Sequence, residues 1–213
     1  MKNKTLFLIL FISTTMLTKT FSQQTGTYTD TRDGTVCQTI ENDKIGESIS
    51  ELIDLIYKSI ETTNHDQTLS YIDKALKLSP ENEILYFLKG IVLENMNKKE
   101  EAIKSYLKAI ALKENYFDAL FNLGTIYYNE AARISKYAMA LPLSQSEEFD
   151  NAQKKLKLEL LYALPYFEKA YEINSNDSDL IEVLYTIYVE FRDDSKNYMA
   201  KYLIFQNKKD KLN

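Results

Sequence analysis

The sequence predicts an all-α chain of about four helix pairs, and three observations carry that expectation. First, in residues 83–116 the apolar and small residues recur at three and four positions, with none of the alternation a strand needs. Second, the same pattern returns at a fixed interval: Ala75 and Ala109 stand 34 residues apart, and so do Gly90 and Gly124. Third, breakers are scarce, with five Gly and three Pro in 213 residues, while Lys, Glu, Leu, Ile and Tyr are abundant. An apolar content of 45% suits one domain with a packed core.

In chain order, residues 1–22 read as a cleaved secretory signal. Lys2 and Lys4 give a positive start, Leu6 to Ile12 forms a short apolar run, and Thr20-Phe21-Ser22 offers small residues where a signal peptidase cuts. The run is shorter than the ~20 residues a spanning helix needs, so no stable membrane span is expected after cleavage. The expected location is periplasmic or secreted. Residues 23–44 are rich in Thr, Asp and Gly and hold few large apolar groups, so a disordered stretch is expected there. Cys37 is the one cysteine, which excludes an intramolecular disulfide and leaves a free thiol or an intermolecular link.

The helical domain is expected over 45–208, with repeats at 49–82, 83–116, 117–177 and 178–208 and a polar tail at 209–213. In the first pair Ile49, Leu52, Ile53, Ile56 and Ile60 share a face. Asn64-x-x-Gln67 reads as a helix start, and Ser79-Pro80 as the start of the next. The second pair carries Tyr86, Phe87, Gly90, Ile91 and Leu93 on one helix and Ala102, Tyr106, Ala109 and Ile110 on the other. Gly90, Ala102 and Ala109 are small where two helices must approach.

The third pair is longer. Gly90 to Ala102 spans twelve residues, while Gly124 to Ala163 spans thirty-nine, so twenty-seven are inserted. Phe149, Ala152, Leu156, Leu160, Ala163 and Phe167 follow heptad-like spacing opposite Ile134, Ala138 and Leu141, which predicts one elongated helical hairpin. Each arm should gain roughly 13 residues, about 20 Å. Pro142 ends the first arm, Ser144-x-x-Glu147 caps the second, and the tip falls at 141–146. The last pair is expected at 179–191 and 195–206, its outer face made polar by Lys196, Asn197, Lys201, Lys208 and Lys209.

A 34-residue helix–turn–helix period resembles the tetratricopeptide repeat family. Gly90, Ala102, Tyr106 and Ala109 carry the resemblance in the second repeat. Leu123-Gly124, Tyr127, Ala163, Phe167 and Ala170 carry it in the third. The first repeat matches in part, and the fourth has Tyr185 in the glycine place. The chain looks like a secreted bacterial member. The resemblance implies a right-handed superhelix whose first helices line a concave groove for a peptide or partner helix. By motif place the groove positions are Ser50, Ile53, Tyr57, Ile60 and Glu61, then Ile84, Phe87, Ile91, Glu94 and Asn95, then Asp118, Phe121, Thr125, Tyr128 and Asn129. Asn122 alone matches a carboxylate-clamping place. The candidate partner-binding residues are therefore Phe87, Ile91, Asn95, Phe121, Asn122, Tyr128 and Asn129; Phe87 and Phe121 suit groove or core equally.

Little else could carry chemistry. There is no phosphate-binding glycine loop, and His65 is the single histidine, placed in a turn. No catalytic residue, metal ligand set or cofactor site is expected. The formal charge of −5, or −8 without residues 1–22 and their Lys2, Lys4 and Lys19, argues against nucleic acid. The expected function is a protein-interaction scaffold or adaptor. A periplasmic folding or assembly factor would need an exposed apolar groove. A self-associating module would need apolar residues outside the long arm, where Tyr137, Met139 and Leu158 are candidates.

Overall fold

A computed structural model describes residues 48–61, 64–142 and 144–212. The expected signal at 1–22, the stretch at 23–44 and Cys37 lie outside the described residues. Among the described residues eight helices run in order: α1 Ile49–Glu61, α2 His65–Leu78, α3 Glu83–Asn95, α4 Lys99–Leu112, α5 Phe117–Ala140, α6 Ser146–Ile173, α7 Ser178–Phe191 and α8 Lys196–Asp210. They pack as four antiparallel pairs in chain order, and no strand occurs among the described residues. The elongated hairpin is α5 with α6. The former has 24 residues against 13 in α3, and the latter 28 against 14 in α4.

The second and third pairs close because an aromatic ring on the second helix lies on a glycine of the first. A Cβ built at Gly90 would meet Tyr106 Cε1 at 2.4 Å, and one at Gly124 would meet Phe167 Cε1 at 2.9 Å. No L side chain tolerates the first distance unless the ring moves. The hairpin core follows the expected heptads: Ala152, Leu156, Leu160, Ala163 and Phe167 are buried against Ala131, Ile134 and Ala138.

Two apolar clusters result, and α5 faces both. Ala119, Leu123 and Ile126 pack with α1–α4, while Leu120, Phe121 and Tyr128 pack with α6–α8. Ile110, Tyr127 and Tyr166 border both clusters. Ion pairs tie neighbouring pairs at their rims: Lys89 to Asp73 (2.8 Å), Lys169 to Glu114 (2.6 Å) and Lys157 to Asp194 (2.9 Å).

Helix starts differ from the expected ones at two places. Ser79 ends α2, its N–H bonded to the Ala75 carbonyl at 2.8 Å. The cap of α3 is instead Asn82, whose Oδ1 accepts from the N–H groups of Ile84 (3.0 Å) and Leu85 (3.2 Å). Ser144 caps nothing. The Gln145 N–H donates to the Pro142 carbonyl at 3.0 Å, and this turn carries the chain on so that α6 begins at Ser146 with no side-chain cap. At Asn64 the cap holds: its side chain accepts from the Gln67 N–H (3.3 Å) and its Nδ2 donates to Gln67 Oε1 (2.9 Å).

The outer face of α8 is polar only in part: Lys196 and Asn197 are exposed as expected, but the other lysines are engaged. Lys201 turns inward to Glu168 and Lys209 to Glu182, while Lys208 lies over the Tyr171 ring. Met199, Leu203 and Ile204 stand exposed on the same helix.

Candidate partner-binding site

The first helices of the central pairs, α3 and α5, hold every candidate residue. Their rings point into seams. Phe87 is 2% exposed and packs 5.1 Å from the Tyr116 ring and 5.9 Å from that of Tyr106, closing the joint between the second and third pairs. Phe121 is 8% exposed, stacked on Phe117 and edge-on to Phe167. Tyr128 is buried edge-on to Phe167, with its hydroxyl facing Thr186 of α7. In this structure all three serve packing. A bulky ring at these places finds apolar neighbours on the next helix and withdraws from the surface, so motif place alone could not settle its side.

The polar candidates behave differently. Asn95 is exposed, and Ile91, Asn122 and Asn129 are partly exposed, although Asn129 Oδ1 is itself buried without a hydrogen-bond partner. Between α3 and α5 lies a small polar cluster. The Tyr106 hydroxyl donates to Glu94 Oε2 at 3.0 Å, and Asn122 hydrogen-bonds the same hydroxyl. This joins the second helix of one pair to the first helix of the next. Burial pushes the Glu94 carboxyl above its usual range, with the Tyr106 hydrogen bond opposing. Burial likewise raises Asp118, opposed by the Lys113 charge.

The sequence reading placed Glu94 and Asp118 by motif but did not single them out. Their signal was present: each is an acid at a groove place beside apolar neighbours, where desolvation penalises charge. The third pair lacks the Glu94–Tyr106 contact, because Tyr128 and Phe167 occupy the matching places. Among the described residues no group of three or more His, Cys, Asp or Glu side chains could hold a metal ion. No helix among them is long and apolar enough to cross a membrane.

Comparison with known proteins bears on the fold. A family model described as TPR repeat matches residues 95–130, from the end of α3 to the point where the hairpin leaves the body. The peroxisomal targeting signal receptor of Candida albicans is 38% identical over 64 residues, which cover 30% of this chain and 11% of the receptor. That of Saccharomyces cerevisiae is 26% identical over 130 residues, covering 61% of this chain and 19% of the receptor. The chain thus spans less than a fifth of the relatives it matches. Among solved structures, MamA protein superposes with a TM-score of 0.50 at 19% identity, covering 78% of this chain and 76% of that one, which is a likeness of fold. The matched segment, the 34-residue spacing and the ring-on-glycine pairs together support the tetratricopeptide repeat family for this chain.

Proposed function

We propose that the chain is a non-enzymatic protein-interaction scaffold that receives an extended partner segment along α3 and α5, in the periplasm or outside the cell. The observation that carries the reading is that exposed Asn95 and partly exposed Ile91, Asn122 and Asn129 lie on the same two helices as the half-buried acids Glu94 and Asp118. Amide side chains can hydrogen-bond a partner backbone, and Ile91 offers apolar contact. A Lys or Arg of the partner would relieve two carboxylates that burial has stripped of water. The similar receptors bear the name of a targeting-signal receptor, which supports a binding role for this chain. An apolar holding groove for unfolded chains fits less well, since Phe87, Phe121 and Tyr128 are closed off.

The test is selection of a random peptide display library on the full chain, followed by binding titrations. Enriched peptides should carry a basic residue, and Asn95→Ala with Asn129→Ala should weaken them about tenfold, the scale of one or two lost hydrogen bonds. Peptides that lack basic residues or bind the variant equally would overturn the site. Location is tested by mass: an exported chain should begin at Gln23, and an intact Met1 in the recovered protein would refute export.

A further inference from the structure

The α5–α6 hairpin runs on past the neighbouring pair. On one side Lys99, at the start of α4, pairs with Glu130 at 3.8 Å and lies over the Tyr127 ring. From there towards the tip the same side forms a groove of about 580 Å³ with Ile134, Tyr137, Ala152 and Leu158 in its lining. Tyr137 is 55% exposed and Leu158 46%. In a stacked array this is the side a preceding repeat would cover, but α3 and α4 are too short to reach it.

We infer that a second copy of this chain covers it, hairpin against antiparallel hairpin about a two-fold axis. Charge complementarity favours a second copy. Glu148 and Lys155 both line the groove, both are exposed, and neither has an ion-pair partner among the described residues. They stand two helical turns apart on one face of α6, about 10 Å, with Ala152 between them. A two-fold axis across α6 at Ala152 reverses the partner helix. It therefore sets Lys155 of each copy against Glu148 of the other, and symmetry makes the contact twice. Tyr137, across the groove, is then buried in a four-helix arrangement of familiar packing. A partner helix of single charge sign would answer one of these two groups and repel the other. The contact is limited to the projecting part of the hairpin, so the dimer should be weak and concentration-dependent.

The experiment is sedimentation of the full chain in reductant across a wide concentration range. The wild type should pass from monomer to dimer. Lys155→Glu and Glu148→Lys should each weaken association about tenfold, since each turns two attractions into two repulsions. Both changes together, or an equimolar mixture of the two single variants, should restore dimerisation. Circular dichroism confirms that these surface changes keep the helices. A wild type that stays monomeric throughout, a dimer indifferent to charge reversal, or a loss that the swap does not rescue would each overturn the proposal.

Discussion

Gly90 and Gly124 occupy the same place in successive pairs, yet they should not tolerate a methyl equally. At Gly90 the nearest ring atom lies 2.4 Å from a built Cβ, and at Gly124 it lies 2.9 Å away. Both rings are buried, so neither can swing into solvent. Gly90→Ala should therefore cost about 3 kcal/mol and Gly124→Ala roughly half that, within the range for overpacked cores. Urea denaturation measures both, and combining Gly90→Ala with Tyr106→Leu should recover part of the loss. Glu94 gives a second expectation at this scale. Its folded carboxyl titrates above the usual range because burial disfavours the anion. Its stabilising share is thus complete below the unfolded Glu range, near pH 4.3, and is lost as pH rises through the higher folded value. Glu94→Gln keeps an acceptor for the Tyr106 hydroxyl and removes the charge. It should raise the urea midpoint at pH 7 and lose that advantage near pH 4; no gain at pH 7 would mean that water reaches the carboxylate. The glycine places were legible in the sequence because a 34-residue repeat exposes them by simple counting. The burial of Phe87, Phe121 and Tyr128 was not, because it depends on which neighbour each ring meets: Tyr116, Phe117 and Phe167 are set by the next turn or a distant helix.

At the scale of the element, α6 poses the sharpest question, since it runs unbroken through Pro165. Proline has no N–H to give, so the carbonyl of Leu161 lacks its helical donor. Pro165 and Leu161 are both exposed, and water can take the vacant place. Pro165→Ala restores the bond and removes a clash, so it should stabilise the chain by about 1–3 kcal/mol in thermal or urea unfolding. A loss instead would show that α6 must bend there to follow α5 and α8 together. The hairpin itself could be read from sequence, because a heptad-like run over two arms specifies an antiparallel pair whatever lies around it. Its caps could not. Ser79 and Ser144 are good helix starters by residue type, but Asn82 and the Pro142–Gln145 turn lie close by and compete. Local side-chain hydrogen bonds differ by little among such residues, so the choice falls to the turn that best aims the next helix.

Across the whole molecule, burial is uneven, and this bears on how the array opens. Helix α5 buries thirteen residues and borders both clusters, whereas α2 buries Thr68, Ile72 and Ala75 and α1 chiefly Leu52 and Ile56. In an array of stacked repeats each pair is held by itself and its neighbours, so an end pair with little buried surface opens first. The same logic explains why the end faces escaped the sequence reading. Lys201 and Lys209 bend back to Glu168 and Glu182, and Met199, Leu203 and Ile204 stand exposed on α8 among Lys196, Asn197 and Asn207. Counting lysines cannot say which way they turn. Hydrogen–deuterium exchange resolved by peptide should therefore show α1, α2 and α8, whose one buried residue is Phe205, exchanging fastest, and α5 with the base of α6 slowest. Ile72 is fully buried in the first cluster, and Ile72→Ala should cost about 2–4 kcal/mol locally. That change should speed exchange in α1 and α2 while leaving α7 and α8 as they were. Leu120→Ala, on the far side of α5, should speed exchange in α5–α8 and affect α1 little. If Ile72→Ala instead speeds every helix by the same factor, the chain unfolds as one unit, and the two clusters joined at α5 are a single cooperative core.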